Sequence, residues 1–174
     1  MAVRTLVLGG IRSGKTGMAE RTAQAHDGDV VYVATATAGD EEMAARIRRH
    51  QQGRPEHWGL REAPLALAEA LAEAAVCDEP PCLLIDCMSL WVSNLLHAGD
   101  EVFKRERTAF LETVTAYPGA LVIVSNEVGL GTIGMDPLTR RFCDELGWLN
   151  QALAQRCDRV MMSVAGLPLV LKEG

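Results

Sequence analysis

Short apolar runs alternate with longer stretches of helical periodicity along this chain. The runs have four to six residues, are rich in Val, Leu and Ile as buried strands are, and occupy 3–8, 30–34, 82–85, 120–124, 159–164 and 168–171. The segments between them predict helices over 15–26, 40–52, 64–76, a stretch from Leu90, 101–117 and 138–156. This alternation predicts an α/β fold with a mostly parallel central sheet flanked by helices. The length of 174 residues predicts a single domain over 1–174.

A glycine-rich segment connects the first predicted strand to the first predicted helix, at the sheet edge where such folds bind ligands. It reads Gly9, Gly10, Ile11, Arg12, Ser13, Gly14, Lys15, Thr16, which has the spacing of a phosphate-binding loop. Backbone N–H groups and the helix N-terminus can surround phosphate oxygens. Lys15 can reach the β- and γ-phosphates, the Thr16 hydroxyl can bind Mg²⁺, and Arg12 adds a cation at the rim. The alternative is an ordinary glycine-rich turn.

Asp86 directly follows the apolar run at 82–85. A phosphate loop usually works with an acidic residue at the end of a neighbouring strand, which holds Mg²⁺ directly or through water. Asp86 is therefore the predicted magnesium carboxylate together with Thr16. The alternative is that Asp86 caps the helix that follows it, and both roles are compatible.

His50 lies in the last turn of the helix predicted over 40–52. At 100° per residue it shares a face with Met43 and Ile47, so a histidine packed in the core is one interpretation. The surrounding arginines, which suit a polyphosphate, favour another; they are Arg46, Arg48, Arg49 and Arg54. A neutral imidazole could attack the α-phosphorus of a nucleotide and expel pyrophosphate. The helix C-terminus opposes this by favouring imidazolium, whereas the arginines disfavour it.

Composition and charge indicate which partners the protein binds and which cellular compartment it occupies. The formal net charge of −6 argues against a broad nucleic-acid surface. No apolar run approaches the roughly 20 residues that span a bilayer, and residues 1–8 lack the layout of a signal peptide. The five cysteines form no Cys-x-x-Cys pair, which favours free thiols in a reducing compartment. These features predict a cytoplasmic protein without a membrane span or a nucleic-acid partner.

Taken together, these motifs resemble the bifunctional adenosylcobinamide kinase/adenosylcobinamide-phosphate guanylyltransferase family of cobalamin biosynthesis. The phosphate loop alone is common to many NTPases. The arginine-rich helix ending in His50 and the run Ser-Asn-Glu-Val-Gly at 125–129 are more specific. The matching segments cover most of the chain and lie at 9–16, 32–36, 40–47, 49–50, 53–58, 84–87, 90–96 and 125–131.

The resemblance implies a RecA-like P-loop NTPase that carries out two transfers. A nucleoside triphosphate, ATP or GTP, phosphorylates the aminopropanol hydroxyl of adenosylcobinamide, and GMP then passes from GTP to that phosphate through a GMP-histidine. By resemblance His50 carries GMP, and the GTP-contacting positions are Ala34, Thr35, Ala36, Gln51, Gln52, Gly53, Arg54, Glu62 and Asp86. The family also implies a homo-oligomer, with a trimer as the expected form and sites between subunits.

Three positions depart from the family's pattern. Thr16 stands where Ser is usual, Ile11 replaces a small Ala and is expected to press on neighbouring packing, and the segment at 132–137 is less hydrophobic than expected. Two other functions remain open from the residues. One is a plain small-molecule kinase with a structural His50, and the other is a non-catalytic nucleotide-binding module.

Overall fold

The computed structural model describes residues 2–36 and 55–174. The helix predicted over 40–52, which contains His50, lies outside the described residues. The same holds for four of the predicted nucleotide contacts, namely Gln51, Gln52, Gly53 and Arg54.

Seven strands and five helices make up the regular structure of the described residues. The strands are β1 (Arg4–Gly9), β2 (Val30–Ala34), β3 (Gly59–Glu62), β4 (Cys82–Asp86), β5 (Leu121–Asn126), β6 (Arg159–Val164) and β7 (Leu167–Lys172). The helices are α1 (Lys15–Gln24), α2 (Leu67–Ala75), α3 (Met88–Ala98), α4 (Asp100–Ala116) and α5 (Pro137–Arg156).

All seven strands form one sheet in the order β3-β2-β4-β5-β1-β6-β7. Strands β1 to β6 pair in parallel, and only β7 runs antiparallel, beside β6. The predicted α/β fold with a mostly parallel sheet is therefore confirmed. Because the carboxyl ends of parallel strands share one edge, the segments that follow β1, β2, β4 and β5 are brought together there.

The central strands are apolar on both faces because helices cover both. In β4, Leu83 and Ile85 pack into a core with α2 to α5, whereas Leu84 faces a second core that contains Met18 and Ala23 of α1. This alternation follows from the two-residue period of a strand. The phosphate loop between β1 and α1 is thus attached to two elements anchored in the core.

Strand β3 is the element that the sequence pattern missed. Its four residues, Gly-Leu-Arg-Glu, are all exposed, and it pairs only with β2 at the edge of the sheet. A short edge strand buries little side-chain surface, so it leaves no apolar run in the sequence. The remaining predicted strands and helices of the described residues are present, with ends displaced by no more than three residues.

Candidate nucleotide-binding site

The phosphate loop connects β1 to α1 as the sequence predicts. Gly14 is the N-cap of α1 with a φ of 88°, and Gly14 O accepts from Met18 N at 3.1 Å. Lys15 Nζ donates to Gly10 O at 3.1 Å, which places the ammonium group within the loop. The loop therefore presents a helix N-terminus and a lysine, the two groups that bind nucleotide phosphates in this arrangement.

Two glycines of the loop have close neighbours at the position that a Cβ atom would occupy. A Cβ atom on Gly9 would lie 2.3 Å from Ser13 Oγ, and one on Gly14 would lie 3.1 Å from Gly166 Cα. Gly14 also has the left-handed backbone conformation that L side chains rarely adopt. Ile11, in contrast, is 82% exposed at the tip of the loop, so the expectation that it presses on neighbouring packing is wrong.

The end of β6 and the turn between β6 and β7 hold the phosphate loop in place through hydrogen bonds. Ser13 O accepts two hydrogen bonds, from Ser163 Oγ at 2.7 Å and from Gly166 N at 2.8 Å. The turn residues Ala165 and Gly166 both have positive φ, which aims the Gly166 N–H at the loop. The last hairpin of the sheet thus fixes the carbonyl that precedes Gly14.

Asp86 meets Thr16 where β4 ends beside the phosphate loop. Asp86 Oδ2 accepts from Thr16 Oγ1 at 3.4 Å and from Tyr32 OH at 2.7 Å. Helix α3 begins at Met88, its N-cap is Cys87, and no side chain caps it. The alternative role of Asp86 as a helix cap is therefore not observed.

The Thr16 and Asp86 oxygens have the chemistry that Mg²⁺ requires. Mg²⁺ prefers oxygen ligands and is often held by one or two carboxylates together with substrate phosphates. Within residues 2–36 and 55–174, no three His, Cys, Asp or Glu side chains form a metal-binding cluster. The donor set present therefore fits an ion bound jointly with a nucleotide better than an ion held by protein alone.

The predicted nucleotide contacts on β2 and β3 align with Asp86 across the sheet. Glu62 of β3 is in register with Ala34 of β2, and Ala34 is in register with Asp86 of β4. Strand β3 lies four strand spacings from β1, or about 19 Å at 4.8 Å per spacing. Within one chain, Glu62 can thus approach only a part of a nucleotide that is remote from its phosphates.

Thr35 and Ala36 follow directly after β2, and the polar groups of Thr35 are already engaged. Its Oγ1 accepts from Cys87 N at 2.8 Å and donates to Cys87 O at 2.8 Å, while Thr35 O accepts from Asn94 Nδ2 at 2.8 Å. Thr35 is fully buried. It therefore ties the ends of β2 and β4 together, beside the exit of the chain toward Ala36.

Cys87 is the cysteine nearest to the predicted magnesium carboxylate. Burial raises the pKa of its thiol, and the negative charge of Asp86 raises it further. A neutral thiol is a weak nucleophile, so Cys87 is poorly suited to carry a nucleotide. All five cysteines are free thiols, which agrees with the lack of a Cys-x-x-Cys pair in the sequence.

Two residues that position the site were missed by reasoning from sequence. Tyr32 lies in an apolar run, which predicts a strand and no role in the site. A buried tyrosine hydroxyl usually requires a partner, and here that partner is Asp86. Ser163 gave no comparable signal, because its contact with Ser13 joins residues 150 positions apart.

A comparison with known protein families finds one family whose pattern matches almost the whole chain. Residues 5–171 match the family CobU, described as cobinamide kinase/cobinamide phosphate guanyltransferase. The chain belongs to this family. The CobU family match includes the phosphate loop, Asp86 and the hairpin of β6 and β7.

Individual relatives agree with membership of the CobU family. The chain is 50% identical over 171 residues to the bifunctional adenosylcobalamin biosynthesis protein CobP of Pseudomonas aeruginosa, covering 98% of both chains. It is 36% identical to the bifunctional adenosylcobalamin biosynthesis protein CobU of Escherichia coli, covering 96% of this chain and 98% of the relative.

A solved structure supports the fold. The ATPase EscN of the enteropathogenic E. coli type III secretion system superposes with a TM-score of 0.59 at 13% identity, covering 94% of this chain and 43% of EscN. At that identity the likeness concerns the fold alone. No helix among the described residues is long and apolar enough to cross a membrane.

Proposed function

We propose that this protein is a bifunctional transferase that acts on one corrinoid substrate in two steps. It phosphorylates the hydroxyl of adenosylcobinamide from ATP or GTP, and it then transfers GMP from GTP to the new phosphate with release of pyrophosphate. Membership of the CobU family across residues 5–171 supports both steps. The observation that carries the proposal is a complete phosphate-binding loop 3.4 Å from a candidate magnesium carboxylate, through Thr16 and Asp86.

A single phosphate loop must serve both transfers, since the sequence contains one Gly-x-x-x-x-Gly-Lys-Thr segment. The kinase step requires the acceptor hydroxyl in line with the γ-phosphorus. GMP transfer requires attack at the α-phosphorus, two phosphates away. A nucleophile on the protein resolves this geometric conflict because it reaches the α-phosphorus first and hands GMP to the acceptor later.

His50 is the proposed nucleophile, on the family resemblance and on the arginines around it in sequence. A neutral imidazole nitrogen forms a bond to the α-phosphorus, and the bond to the β-phosphate oxygen breaks to release pyrophosphate. The corrinoid phosphate oxygen then attacks the same phosphorus, and the P–N bond breaks to return the imidazole. Lys15 and Arg12 would stabilise the charge of the departing pyrophosphate.

Thr16 and Asp86 are the residues proposed to hold Mg²⁺ with the bound nucleotide. When bound, the ion would neutralise phosphate charge in both steps. Tyr32 donates to the same Asp86 oxygen that faces Thr16, and this contact holds the carboxylate toward the loop.

We also propose a homo-oligomer, for which the family resemblance implies a trimer. Strand β7 supports the proposal because it is an exposed sheet edge with apolar side chains, including Leu167, which is 69% exposed. Such an edge usually requires cover. The five free thiols agree with a reducing compartment, so we propose the cytoplasm.

Incubation with α-labelled GTP and Mg²⁺ tests the central step. The protein should acquire a label that is lost in acid and retained in base, as a phosphoramidate is. His50→Ala should abolish the label and GMP transfer while leaving phosphorylation of adenosylcobinamide at least in part, because γ-transfer does not need the imidazole. His57→Ala, at an exposed position, is the matched control and should keep both activities.

Three outcomes would contradict the proposal. A label that persists in His50→Ala would assign the nucleophile to another residue, with His57 next. Phosphorylation by the wild-type protein without labelling or GMP transfer would indicate a plain kinase. Lys15→Ala should abolish both activities, and retention of either near the wild-type rate would refute a shared phosphate site.

A further inference from the structure

We propose that Glu127 is the general base of the kinase step and that the neighbouring Asn126 contacts the acceptor alcohol. This assignment rests on the proposed function, since it concerns the acceptor side of the same nucleotide site. The resemblance assigns neither residue a role. The placement of β5, the hydrogen bonds of Glu127 and an unpaired atom of Asn126 support the assignment.

The carboxyl end of β5 lies between the phosphate loop and Asp86, the two parts of the candidate site described above. Strand β5 pairs with β1, which leads into the phosphate loop, and with β4, which ends at Asp86. Asn126 is in register with Gly9, and Glu127 N donates to Gly9 O at 3.1 Å. Glu127 is therefore attached to the first residue of the phosphate loop.

The Glu127 carboxylate is weakly engaged. Its Oε1 accepts from Gly129 N at 3.2 Å, and it forms no ion pair with the described residues. Lone pairs therefore remain to accept a proton. Asp86 is less suited to that task because Tyr32 and Thr16 both donate to its Oδ2 and because it is the proposed magnesium ligand.

Asn126 provides an independent indication of what binds here. Its Oδ1 is buried and has no hydrogen-bond partner among the described residues. The backbone around it is fixed, because Asn126 O accepts from Asn150 Nδ2 at 3.0 Å and Asn150 Oδ1 accepts from Ser125 Oγ at 2.6 Å. Leaving a buried acceptor unpaired is costly, so an occupant that donates a hydrogen bond is expected at this position.

An ionised nucleotide phosphate cannot be that occupant, because it carries acceptors and no donor. An alcohol or an amide N–H of the acceptor arm can donate to Asn126 Oδ1. Among the described residues of the site, Ser13 Oγ is the other buried atom without a partner, and this hydroxyl can donate to a phosphate. The two unpaired atoms thus suit different ligands, with phosphate at Ser13 and the acceptor at Asn126.

With Glu127 as the base, every proton and electron pair of the kinase step has a destination. The acceptor hydroxyl gives its proton to the Glu127 carboxylate as its oxygen bonds to the γ-phosphorus. The bond from the γ-phosphorus to the β-phosphate oxygen breaks, and its electron pair leaves with the nucleoside diphosphate. The second transfer needs no such base, since its acceptor is a phosphate oxygen that is already ionised.

This difference between the two steps provides the test. Glu127→Gln should lower the phosphorylation rate of adenosylcobinamide by about 100-fold or more, within the range of general base catalysis. Labelling by α-labelled GTP and GMP transfer to preformed adenosylcobinamide phosphate should stay near wild-type. Glu112→Gln, at an exposed position on α4, is the matched control and should change neither activity.

A second variant separates Asn126 from a role in folding. Asn126→Ala should raise the KM for adenosylcobinamide while the Kd for a fluorescent GTP analogue and the thermal midpoint of unfolding change little. Kinase activity retained within a few-fold by Glu127→Gln would overturn the role of Glu127, and so would equal loss of both activities. A wild-type protein that does not phosphorylate adenosylcobinamide would overturn the proposed function itself, and the assignment with it.

Discussion

Ser163 Oγ donates a 2.7 Å hydrogen bond to Ser13 O and thereby joins β6 to the phosphate loop. Gly166 N donates to the same carbonyl at 2.8 Å. Ser163 is 1% exposed, so the bond is shielded from water. The conformation of the phosphate loop thus depends on a hairpin located near the other end of the sequence.

Replacing Ser163 should weaken nucleotide binding. Ser163→Ala removes one of the two bonds to Ser13 O and should cost about 1 kcal/mol of stability. Because one loop serves both transfers in the proposed function, the KM for nucleotide should rise in both, measured by initial rates. Ser93→Ala, at a half-buried position on α3, is the control. Equal nucleotide KM values in Ser163→Ala and wild-type would show that Gly166 holds the loop alone.

The contact between Gly9 and Ser13 can be tested by a double-mutant cycle. Gly9→Ala would place Cβ 2.3 Å from Ser13 Oγ, so the loop must shift and nucleotide affinity should fall. Adding Ser13→Ala removes that oxygen, so the double variant should lose less affinity than the sum of the two single losses. Some loss should remain, because the Cβ also lies 3.1 Å from Ser163 O and 3.2 Å from Lys15 Cβ. Additive losses, measured as Kd for a fluorescent GTP analogue, would contradict this account.

The Mg²⁺ requirement should depend on Asp86 and, more weakly, on Tyr32. Asp86→Asn removes the charge proposed to hold the ion and should raise the Mg²⁺ concentration for half-maximal rate by about tenfold or more. Tyr32→Phe removes the 2.7 Å bond to Asp86 Oδ2 and should shift the same quantity in the same direction, but less. Mn²⁺ binding measured by electron paramagnetic resonance in the presence of nucleotide should follow the same order. An unchanged metal dependence in Asp86→Asn would remove Asp86 from the metal site.

Buried thiols should make the fold sensitive to alkaline pH. Burial raises the pKa of Cys157 to about 12 from its usual value near 9.0, and the Asp158 charge contributes. Between these two pKa values the unfolded chain has lost the Cys157 proton, whereas the folded chain retains it. The contribution of Cys157 to the free energy of unfolding is therefore fully present below about pH 9 and falls as the pH rises. The fall is at most about 1.4 kcal/mol per pH unit for one group.

Urea unfolding at a series of pH values between 8 and 10.5 measures this slope. Cys157→Ala should reduce the slope of the unfolding free energy against pH by nearly the amount that one titrating group contributes. The substitution should also lower the unfolding free energy at every pH. Cys77→Ala, at an exposed position, should leave the slope unchanged. Identical slopes in Cys157→Ala and wild-type would indicate that the Cys157 pKa is not raised in the folded state.

Much of the fold and part of the site follow from local sequence. Strands such as β4 and β5 are apolar on both faces because helices cover both, so they are recognisable as continuous runs. The phosphate loop is recognisable for a related reason. Gly9 is required by a contact within the loop itself, with Ser13, and Gly14 by its own left-handed backbone conformation.

The sequence by itself therefore determined the α/β fold, the placement of the glycine-rich loop between β1 and α1, and the position of Asp86 at the end of β4, because each depends on neighbours in the chain or on a strand's own pattern. Only the tertiary structure decided that Tyr32 holds Asp86, that Ser163 supports Ser13, and that β5 places Asn126 and Glu127 beside Gly9. These contacts join residues tens of positions apart, and a single polar residue in a strand does not reveal which distant strand end it will meet. The edge strand β3 could not be predicted from the sequence, because all four of its residues are exposed and form no pattern of buried positions.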